Sequence, residues 1–388
     1  MSSTAVHDYL NMSLSQMEAA AARFEERLNQ ALVAAPPSKA LVRDAIRRRG
    51  VPRCPVRNKR LSLDVILRYG DALADLFCEY PDDLLQMVPY EAWVGHQAAG
   101  RPDPINVIDA MTGDRQWTDE WGTRWGHAFG GVGATQLACP ITDWSQLDQY
   151  LETQMPDARA PGRLDAAKKG LALHGRRHYC AGAIQLSLFE RLHSLRGMEN
   201  LFMDFYTHPD EVRRLAEAIT DYLLELIRAW GELGADGIFM TDDWGTQTAL
   251  MISVPMWRDF FEDLYRKIIA EAHRGGMEVF FHSCGNVTGI VSHLIDVGLD
   301  VIDPIQPGAM DLDQVAREFG GKVAFSGGID DQRIALAKPR EVADEVRRAI
   351  DTLGAPFGNA YVVAPANVLT PEVPLENLQA LFKASHGQ

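Results

Sequence analysis

The residues best suited to catalysis or metal binding are His282 and Cys284, which follow an apolar segment at residues 277–281. That segment has the composition of a buried strand. On an extended backbone residues i and i+2 point to the same side, so the imidazole and the thiol can converge where the strand ends. An imidazole beside a thiolate suits zinc or another borderline-soft metal. The pair therefore indicates a metal site.

The same pair has a structural alternative, in which the histidine and the cysteine only pack in the core. The functional interpretation is favoured because the pair ends a strand in a chain of alternating strands and helices. Without a metal, His282 is still a candidate general acid, since the ordinary pKa of a histidine lies near neutrality. The residues alone leave the metal-bound and the metal-free alternatives open.

Two candidate catalytic carboxylates, Asp242 and Asp243, follow the apolar segment 235–241. Adjacent residues of a strand point to opposite sides, so we expect only one of the two to face a pocket. A carboxylate there could protonate or position a leaving group, or bind a metal. The structural alternative is that one aspartate caps a helix or forms an ion pair while the other is solvated.

Further residues near predicted strand ends are candidates for substrate binding. Trp121 and Trp244 could form a flat wall for an aromatic ligand, although large aromatic side chains are more often core. Glu120, beside Trp121, could act as an acid or simply lie on the surface. Arg191 could bind a substrate carboxylate bidentately or pair with a neighbouring glutamate. Asn367 follows the last predicted strand.

Charge and composition narrow the class of protein. The net charge of −15 disfavours a nucleic-acid or anionic-membrane partner, and no apolar run approaches the length of a membrane span. The first ten residues, MSSTAVHDYL, lack the basic and apolar regions of a secretory signal. Five widely spaced cysteines without C-x-x-C favour reduced thiols over a disulfide framework. We therefore expect a cytoplasmic protein.

The elements that must position these candidates alternate along the chain. Residues 13–33 have helical spacing, and we assign 1–50 to an N-terminal helical extension. Apolar strands separated by helices predict a parallel sheet that is covered on both faces. The number of such units favours an α/β fold with a single (β/α)8 TIM barrel over residues 51–388. Strands are predicted at 179–185, 235–241, 277–281, 300–303, 322–326 and 360–363.

Several segments resemble the uroporphyrinogen decarboxylase superfamily. They are HSCGNVTGIVSHLIDVGLDVID (282–303), VAFSGGID (323–330) and YVVAPANVLTPEVPLENLQAL (361–381). Other segments are similar to the corrinoid-dependent methyltransferases and O-demethylases of that superfamily, namely DEWGTRWG (119–126), LFERLHSLRGMENLFMDF (188–205) and TDDWGTQ (241–247). The resemblance implies a (β/α)8 barrel. It also implies methyl transfer between a corrinoid protein and a thiol, an aryl ether or an amine.

The resemblance further implies a zinc site, from which this chain departs. His282 and Cys284 fall on the family's H-x-C ligand pair, but no cysteine follows Cys284. Asn367 stands in the segment where the third thiolate is expected, so either Asn367, Asp243 or another carboxylate completes a weaker site, or the protein holds no zinc. The true decarboxylase carries an arginine-rich N-terminal motif that binds the substrate's carboxylates. VPRCPVRNKR (51–60) stands there instead, which counts against decarboxylation of a porphyrinogen.

The resemblance leads us to expect a methyltransferase that takes the methyl group from a small donor, such as a methoxylated aromatic compound. The chain has no D-x-H-x-x-G corrinoid-binding pattern, so a partner protein would supply the corrinoid. Two alternatives stay open. One is a decarboxylase-type lyase acting on another carboxylated substrate, and the other is a non-catalytic binder of a small molecule or tetrapyrrole. A homodimer is compatible with any of the three.

Overall fold

A sheet of seven parallel strands dominates the computed structural model, which describes residues 12–88, 115–127 and 134–387. In chain order the strands are β1 (Leu84–Met87), β2 (Arg115–Thr118), β3 (Arg124–His127), β4 (Thr135–Ala138), β5 (Tyr179–Ile184), β6 (Gly237–Thr241), β7 (Glu278–His282), β8 (Val301–Ile305), β9 (Ala324–Ile329) and β10 (Tyr361–Pro365). The large sheet has the order β1-β5-β6-β7-β8-β9-β10, and β2, β3 and β4 form a separate antiparallel sheet.

A short extended segment around Val56 joins the two edges of the large sheet. Val56 pairs in parallel with Val363 of β10, and the N–H of Arg57 donates to the carbonyl of Val363 (2.9 Å). On the other side, the N–H of Asp83 donates to the carbonyl of Val56 (2.9 Å), next to β1. The segment thus takes the place of an eighth strand between β10 and β1, and the predicted α/β TIM-barrel fold is confirmed.

Helices alternate with the strands of the large sheet. They are α1 (Leu14–Ala34), α2 (Lys39–Ile46), α3 (Leu63–Glu79), α4 (Leu147–Thr153), α5 (Asp165–His174), α6 (Phe189–Arg196), α7 (Met198–Thr207), α8 (Pro209–Leu233), α9 (Val254–Trp257), α10 (Asp263–Arg274), α11 (Thr288–Asp296), α12 (Leu312–Phe319), α13 (Asp331–Leu336), α14 (Pro339–Ala349) and α15 (Leu375–Ser385). Within the described ranges, no helix combines the length and the apolar character that crossing a membrane requires.

Local sequence signals explain where the longest helices begin and end. α1 starts with a capping box, in which the N–H of Gln16 donates to Ser13 Oγ and the N–H of Ser13 donates to Gln16 Oε1. α8 starts at Pro209 and ends at Leu233, and the following residue, Gly234, caps it in a left-handed conformation. Met17 and Ala21 of α1 pack against α3, so the N-terminal extension contacts the barrel's helical layer. A domain boundary at residue 50 remains a prediction.

The amino end of the barrel is closed by α2. The guanidinium of Arg43 donates to Asp236 Oδ1 (2.5 Å), and that of Arg47 donates to Glu278 Oε1 (2.6 Å). Tyr179 Oη donates to the other oxygen of Glu278 (2.7 Å). Both acids are almost fully buried, so these contacts keep them paired at the strand starts. Since this end is sealed, access to the barrel interior must come from the carboxyl ends of the strands.

The contact between α1 and α5 includes a buried histidine, His174, so the stability of the fold should depend on pH there. His174 Nε2 lies 2.8 Å from Asn29 Oδ1, whereas Nδ1 is buried without a hydrogen-bond partner among the described residues. Burial, with a smaller effect of His178, lowers the pKa of His174 from 6.5 to about 4. The folded state therefore favours the neutral imidazole. Its stabilising contribution is present above pH 6.5 and is lost as the pH falls through about 4.

When the pH falls from 7 to 4, the unfolding free energy of the wild type should decrease by about 2 kcal/mol more than that of His174→Gln. Urea unfolding at a series of pH values measures this difference. His273→Gln is the control of opposite sign, because the hydrogen bond to Asp300 raises the pKa of His273 and its contribution is lost as the pH rises. Identical pH profiles for wild type and His174→Gln would contradict the assignment.

Candidate functional site

A cavity of about 550 Å³ lies at the carboxyl ends of the barrel strands. Its inner end is formed by Thr241, Asp243, His282 and Cys284, which follow or end β6 and β7. The register pairs Thr241 with His282 across these two strands. Asn367, after β10, lies on the wall of the same cavity, where its side-chain oxygen accepts the N–H of Val368 (2.8 Å).

Three potential metal ligands converge at the inner end. Single donor atoms of Asp243, His282 and Cys284 all lie within 4.8 Å of one another. His282 Nε2 is 3.4 Å from Cys284 Sγ and 3.9 Å from Asp243 Oδ1. Ligand atoms of a tetrahedral zinc ion are about 3.3–3.8 Å apart, given zinc bonds of about 2.0–2.3 Å. The two separations measured from His282 Nε2 are close to this range, and the third is at most 4.8 Å, so small side-chain shifts would let the three groups hold a zinc ion and leave one coordination position open.

The orientation of His282 is set from behind by Asp303. His282 Nδ1 lies 2.6 Å from Asp303 Oδ1, and the guanidinium of Arg57 donates to Asp303 Oδ2 (2.7 Å). Burial and the nearby Arg60 guanidinium lower the pKa of His282, although Asp303 opposes them. Burial alone raises the pKa of Asp303, but Arg57 and the hydrogen bond with His282 outweigh it and hold that pKa below its ordinary value. A neutral imidazole thus faces an ionised carboxylate.

The loops after β6 and β7 interlock and so fix Asp243 relative to Cys284. The N–H of Cys284 donates to Asp243 Oδ1 (2.7 Å). Gly245 and Gly285 approach backbone to backbone, since a Cβ on Gly285 would lie 2.5 Å from the carbonyl of Gly245. The N–H of Gly285 also donates to Gln306 Oε1 (2.8 Å). The two glycines next to the predicted ligands are therefore a requirement of the site's geometry.

The structure places Asp242 and Trp244 outside the wall of this cavity. Asp242 is fully buried and accepts the N–H groups of Leu188, Phe189 and Glu190 at the start of α6. Burial raises the pKa of Asp242 to about 6, and the hydrogen bond from the Tyr265 hydroxyl, together with those from the three N–H groups, opposes the rise. The ring of Trp244 is also fully buried and stacks on Phe189 with 3.9 Å between ring centroids. Both side chains hold the loops in place, because alternation along the backbone sends only Asp243 towards the cavity.

The outer part of the cavity contains Glu120, Trp121 and Arg191, three of the predicted substrate-binding residues. Each charged group there already has a partner. Arg163 binds Glu120 bidentately (2.8 and 2.5 Å), and Arg191 donates to Asp119 Oδ2 (2.9 Å). The Arg191 guanidinium also lies 4.7 Å from the centroid of the Trp121 ring. The outer wall therefore combines paired charges with aromatic surface, which favours a flat ligand of low net charge.

Sequence reasoning missed several residues that the fold brings to this site. Arg57 and Arg60 come from the segment 51–60, which resembled no family motif, and Asp303 was noted only as a strand end. Glu190 also lines the cavity, with Thr241 Oγ1 3.2 Å from Glu190 Oε2. Burial and the neighbouring Asp243 and Asp242 carboxylates raise the pKa of Glu190 to about 8. Its position beside Arg191 was the available signal.

The thiol of Cys284 is not a free nucleophile in this environment. Burial, with the nearby Asp243 carboxylate, raises the pKa of Cys284 to about 12. The five cysteines of the chain, all within the described ranges, form no disulfide, in agreement with the expectation of reduced thiols. A bound metal would deprotonate the Cys284 thiol outright, so the residue is better suited to coordination than to attack.

Comparison with known proteins confirms the superfamily predicted from the C-terminal segments. The family model "Uroporphyrinogen decarboxylase (URO-D)" matches residues 186–388. The uroporphyrinogen decarboxylase of Dechloromonas aromatica is 24% identical over 193 residues, which are 48% of this chain and 52% of that protein. The corresponding protein of Xylella fastidiosa is 26% identical over 190 residues, 46% of this chain and 50% of its own. The chain thus spans about half the length of these curated relatives.

The fold is shared along nearly the whole chain with a solved structure, a methyltransferase from Methanosarcina mazei. The TM-score is 0.65 at 17% sequence identity, over 91% of this chain and 99% of that one. At such low identity the likeness shows the fold alone.

The interlocked loops generate a prediction for Gly285. This residue has a φ of +81°, so Gly285→Ala adds left-handed strain to the overlap with the Gly245 backbone. We expect a loss of more than about 3 kcal/mol in unfolding free energy, together with loss of any metal that the candidate site holds. Gly276→Ala is the matched control, because Gly276 has a φ of +74° with open space around the added Cβ. It should cost only about 1–2 kcal/mol and leave metal binding intact.

Denaturant unfolding and metal analysis of the two variants measure both quantities. Equal destabilisation by the two substitutions would show that the close approach of the loops is not a constraint.

Proposed function

The chain belongs to the uroporphyrinogen decarboxylase family, and from that premise we propose that it transfers a methyl group from a small donor to a corrinoid protein supplied by a partner. The observation that carries this proposal is the convergence of Asp243, His282 and Cys284 at the closed end of the cavity. A donor set of nitrogen, sulfur and carboxylate oxygen suits zinc. Asp243 would supply the third ligand in place of the cysteine that is missing after Cys284.

Zinc in this position would supply Lewis acidity to the heteroatom that carries the methyl group. The residues of the chain would do the remaining work. Arg191 and Trp121 would hold the donor against the outer wall, with its methyl end towards His282. Glu190 would deliver a proton to the leaving heteroatom, since its carboxyl group lines the same cavity next to Thr241. The aromatic lining supports a methoxylated aromatic donor.

A decarboxylase-type lyase is the second candidate, favoured by one specific observation. The segment 51–60 stands where the decarboxylase has its arginine-rich motif, and its Arg60 does contact His282, while its Arg57 contacts Asp303 behind that histidine. The curated relatives are themselves uroporphyrinogen decarboxylases. However, Arg57 is bound to Asp303, which leaves fewer free cations for a substrate with several carboxylates.

The metal assignment is tested by analysis of purified protein. We expect about one zinc per chain in the wild type, bound by the three donors of this cluster with one position left open for a substrate. Cys284→Ser should lower the zinc content sharply, since thiolate is the softest of the three donors. Cys78→Ser is the matched control, because Cys78 is exposed and does not line the cavity. Stoichiometric zinc in a His282→Ala, Cys284→Ser double variant would refute the site.

The reaction class is tested by an assay with and without a methyl-accepting corrinoid protein. We expect demethylation of a methoxylated aromatic compound only when the corrinoid protein is present. His282→Ala should reduce the rate by about a hundredfold or more. His208→Ala is the control, because His208 is half-exposed and contacts Asp204 at the end of α7. Decarboxylation of uroporphyrinogen without any corrinoid would instead establish the lyase. Tight tetrapyrrole binding with neither activity would point to a non-catalytic binder.

A further inference from the structure

Arg57 makes contacts that a substrate-binding arginine would not make. Arg57 comes from the extended segment around Val56, which closes the barrel. It is 3% exposed, and its guanidinium is not part of the cavity wall. One of its terminal nitrogens donates to Asp303 Oδ2 (2.7 Å). Its guanidinium carbon lies 4.5 Å from the centroid of the Phe239 ring. The charge of Arg57 is therefore directed at a protein carboxylate and an aromatic face.

The carboxylate bound by Arg57 is the one that contacts His282. Asp303 Oδ1 lies 2.6 Å from His282 Nδ1, and Phe239 also packs nearly parallel to the His282 ring (centroids 6.1 Å apart, 28° between planes). An ionised carboxylate can only accept, so Nδ1 carries the imidazole proton and Nε2 keeps its lone pair. Three groups lie near that nitrogen, namely Cys284 Sγ (3.4 Å), Asp243 Oδ1 (3.9 Å) and Arg60 Nη2 (3.3 Å).

We propose that Arg57 is a positioning residue, which acts through Asp303 to hold His282 in the tautomer and orientation that present Nε2 to the cavity. The Asp303 carboxylate is fully buried, and its other cationic neighbour, Arg60, is farther away at 3.6 Å. Without Arg57 the carboxylate loses its short anchor and can turn away from Nδ1. The consequence for metal binding rests on the zinc site proposed above, whereas the tautomer of His282 does not depend on it.

The contacts of Arg60 differ from those of Arg57. Arg60 Nη2 lies 3.3 Å from His282 Nε2 and 3.5 Å from Nδ1, so this guanidinium approaches the imidazole itself. It makes no hydrogen bond to Asp303 among the described residues, and the nearest pair of atoms is 3.6 Å apart. The anchoring of Asp303 is therefore assigned to Arg57, which makes a charge-assisted hydrogen bond of ordinary length.

The test compares Arg57→Met with the conservative variant Arg57→Lys. Because Arg57→Met leaves Asp303 as an unpaired buried charge, it can impair folding. An Arg57→Met, Asp303→Leu double variant removes both charges and serves in that case. Arg53→Met is the matched control. Arg53 lies in the same segment and binds Asp83 bidentately (2.6 and 2.8 Å), but within the described part of the chain it makes no hydrogen bond to His282 or Asp303.

Two measurements report on the proposal. Nitrogen-15 NMR of histidine-labelled, metal-free protein gives the tautomer of His282, whose signals are identified by their loss in His282→Gln. Titration with Co²⁺ gives the affinity of the site and the absorption spectrum of the bound ion. We expect the Nδ1–H tautomer in the wild type and a mixture in Arg57→Met or the double variant. Co²⁺ affinity should fall by about 10- to 100-fold, the usual effect of removing a group that orients a ligand.

Arg57→Lys should restore most of the affinity and Arg53→Met should change neither measurement. The proposal is overturned if Arg57→Met, or the double variant, keeps both the Nδ1–H tautomer and a Co²⁺ affinity within about twofold of the wild type. If the wild type binds no Co²⁺, the zinc site of the proposed function fails, and the tautomer alone then decides the role of Arg57.

Discussion

The buried ion pair between Arg57 and Asp303 is the interaction on which the candidate site depends most. The Asp303 carboxylate is fully buried and would be strongly destabilising if it were unpaired. The guanidinium of Arg57, from the segment that closes the barrel, compensates its charge. The same pair orients His282. One contact therefore links the closure of the barrel between β10 and β1 to the geometry of the histidine at the end of β7.

The parallel register of three neighbouring strands gives this interaction its place. Thr241 of β6 is opposite His282 of β7, and His282 is opposite Asp303 of β8. In a barrel, residues at one level that point inwards form a layer, and this layer is polar whereas the one below contains Phe239, Phe280 and Val301. Polar groups in the upper layer satisfy one another or face the cavity. The lower layer and α2 seal the opposite end.

The departure from the family's thiolate ligands changes the chemistry expected of the site. A carboxylate in place of a second thiolate gives a harder and less electron-rich donor set. The candidate ligand Asp243 is also held by the N–H of Cys284, so its position is coupled to the cysteine loop. The outer wall adds paired charges and aromatic rings. Together these features support the proposed small aromatic donor over a substrate with several carboxylates.

Sequence by itself was sufficient for the repeating elements and for part of the site. The apolar runs before His282 and Asp242 predicted β7 and β6, because burial on both faces selects continuous hydrophobic strands. Alternation also indicated that only one of the two adjacent aspartates would face a pocket. The i, i+2 spacing predicted that His282 and Cys284 would converge, since strand geometry is local.

Only the tertiary structure decided which distant groups complete the site. Arg57 and Asp303 are 246 residues apart, and they meet because the segment around Val56 closes the barrel. That segment is too short to show the sequence pattern of a strand. The choice of Asp243 over Asp242 depended on the hydrogen bonds that draw Asp242 to the start of α6. Trp244 has the composition of a ligand wall, but packing against Phe189 buries it completely. Such outcomes depend on three-dimensional neighbours, which local periodicity does not encode.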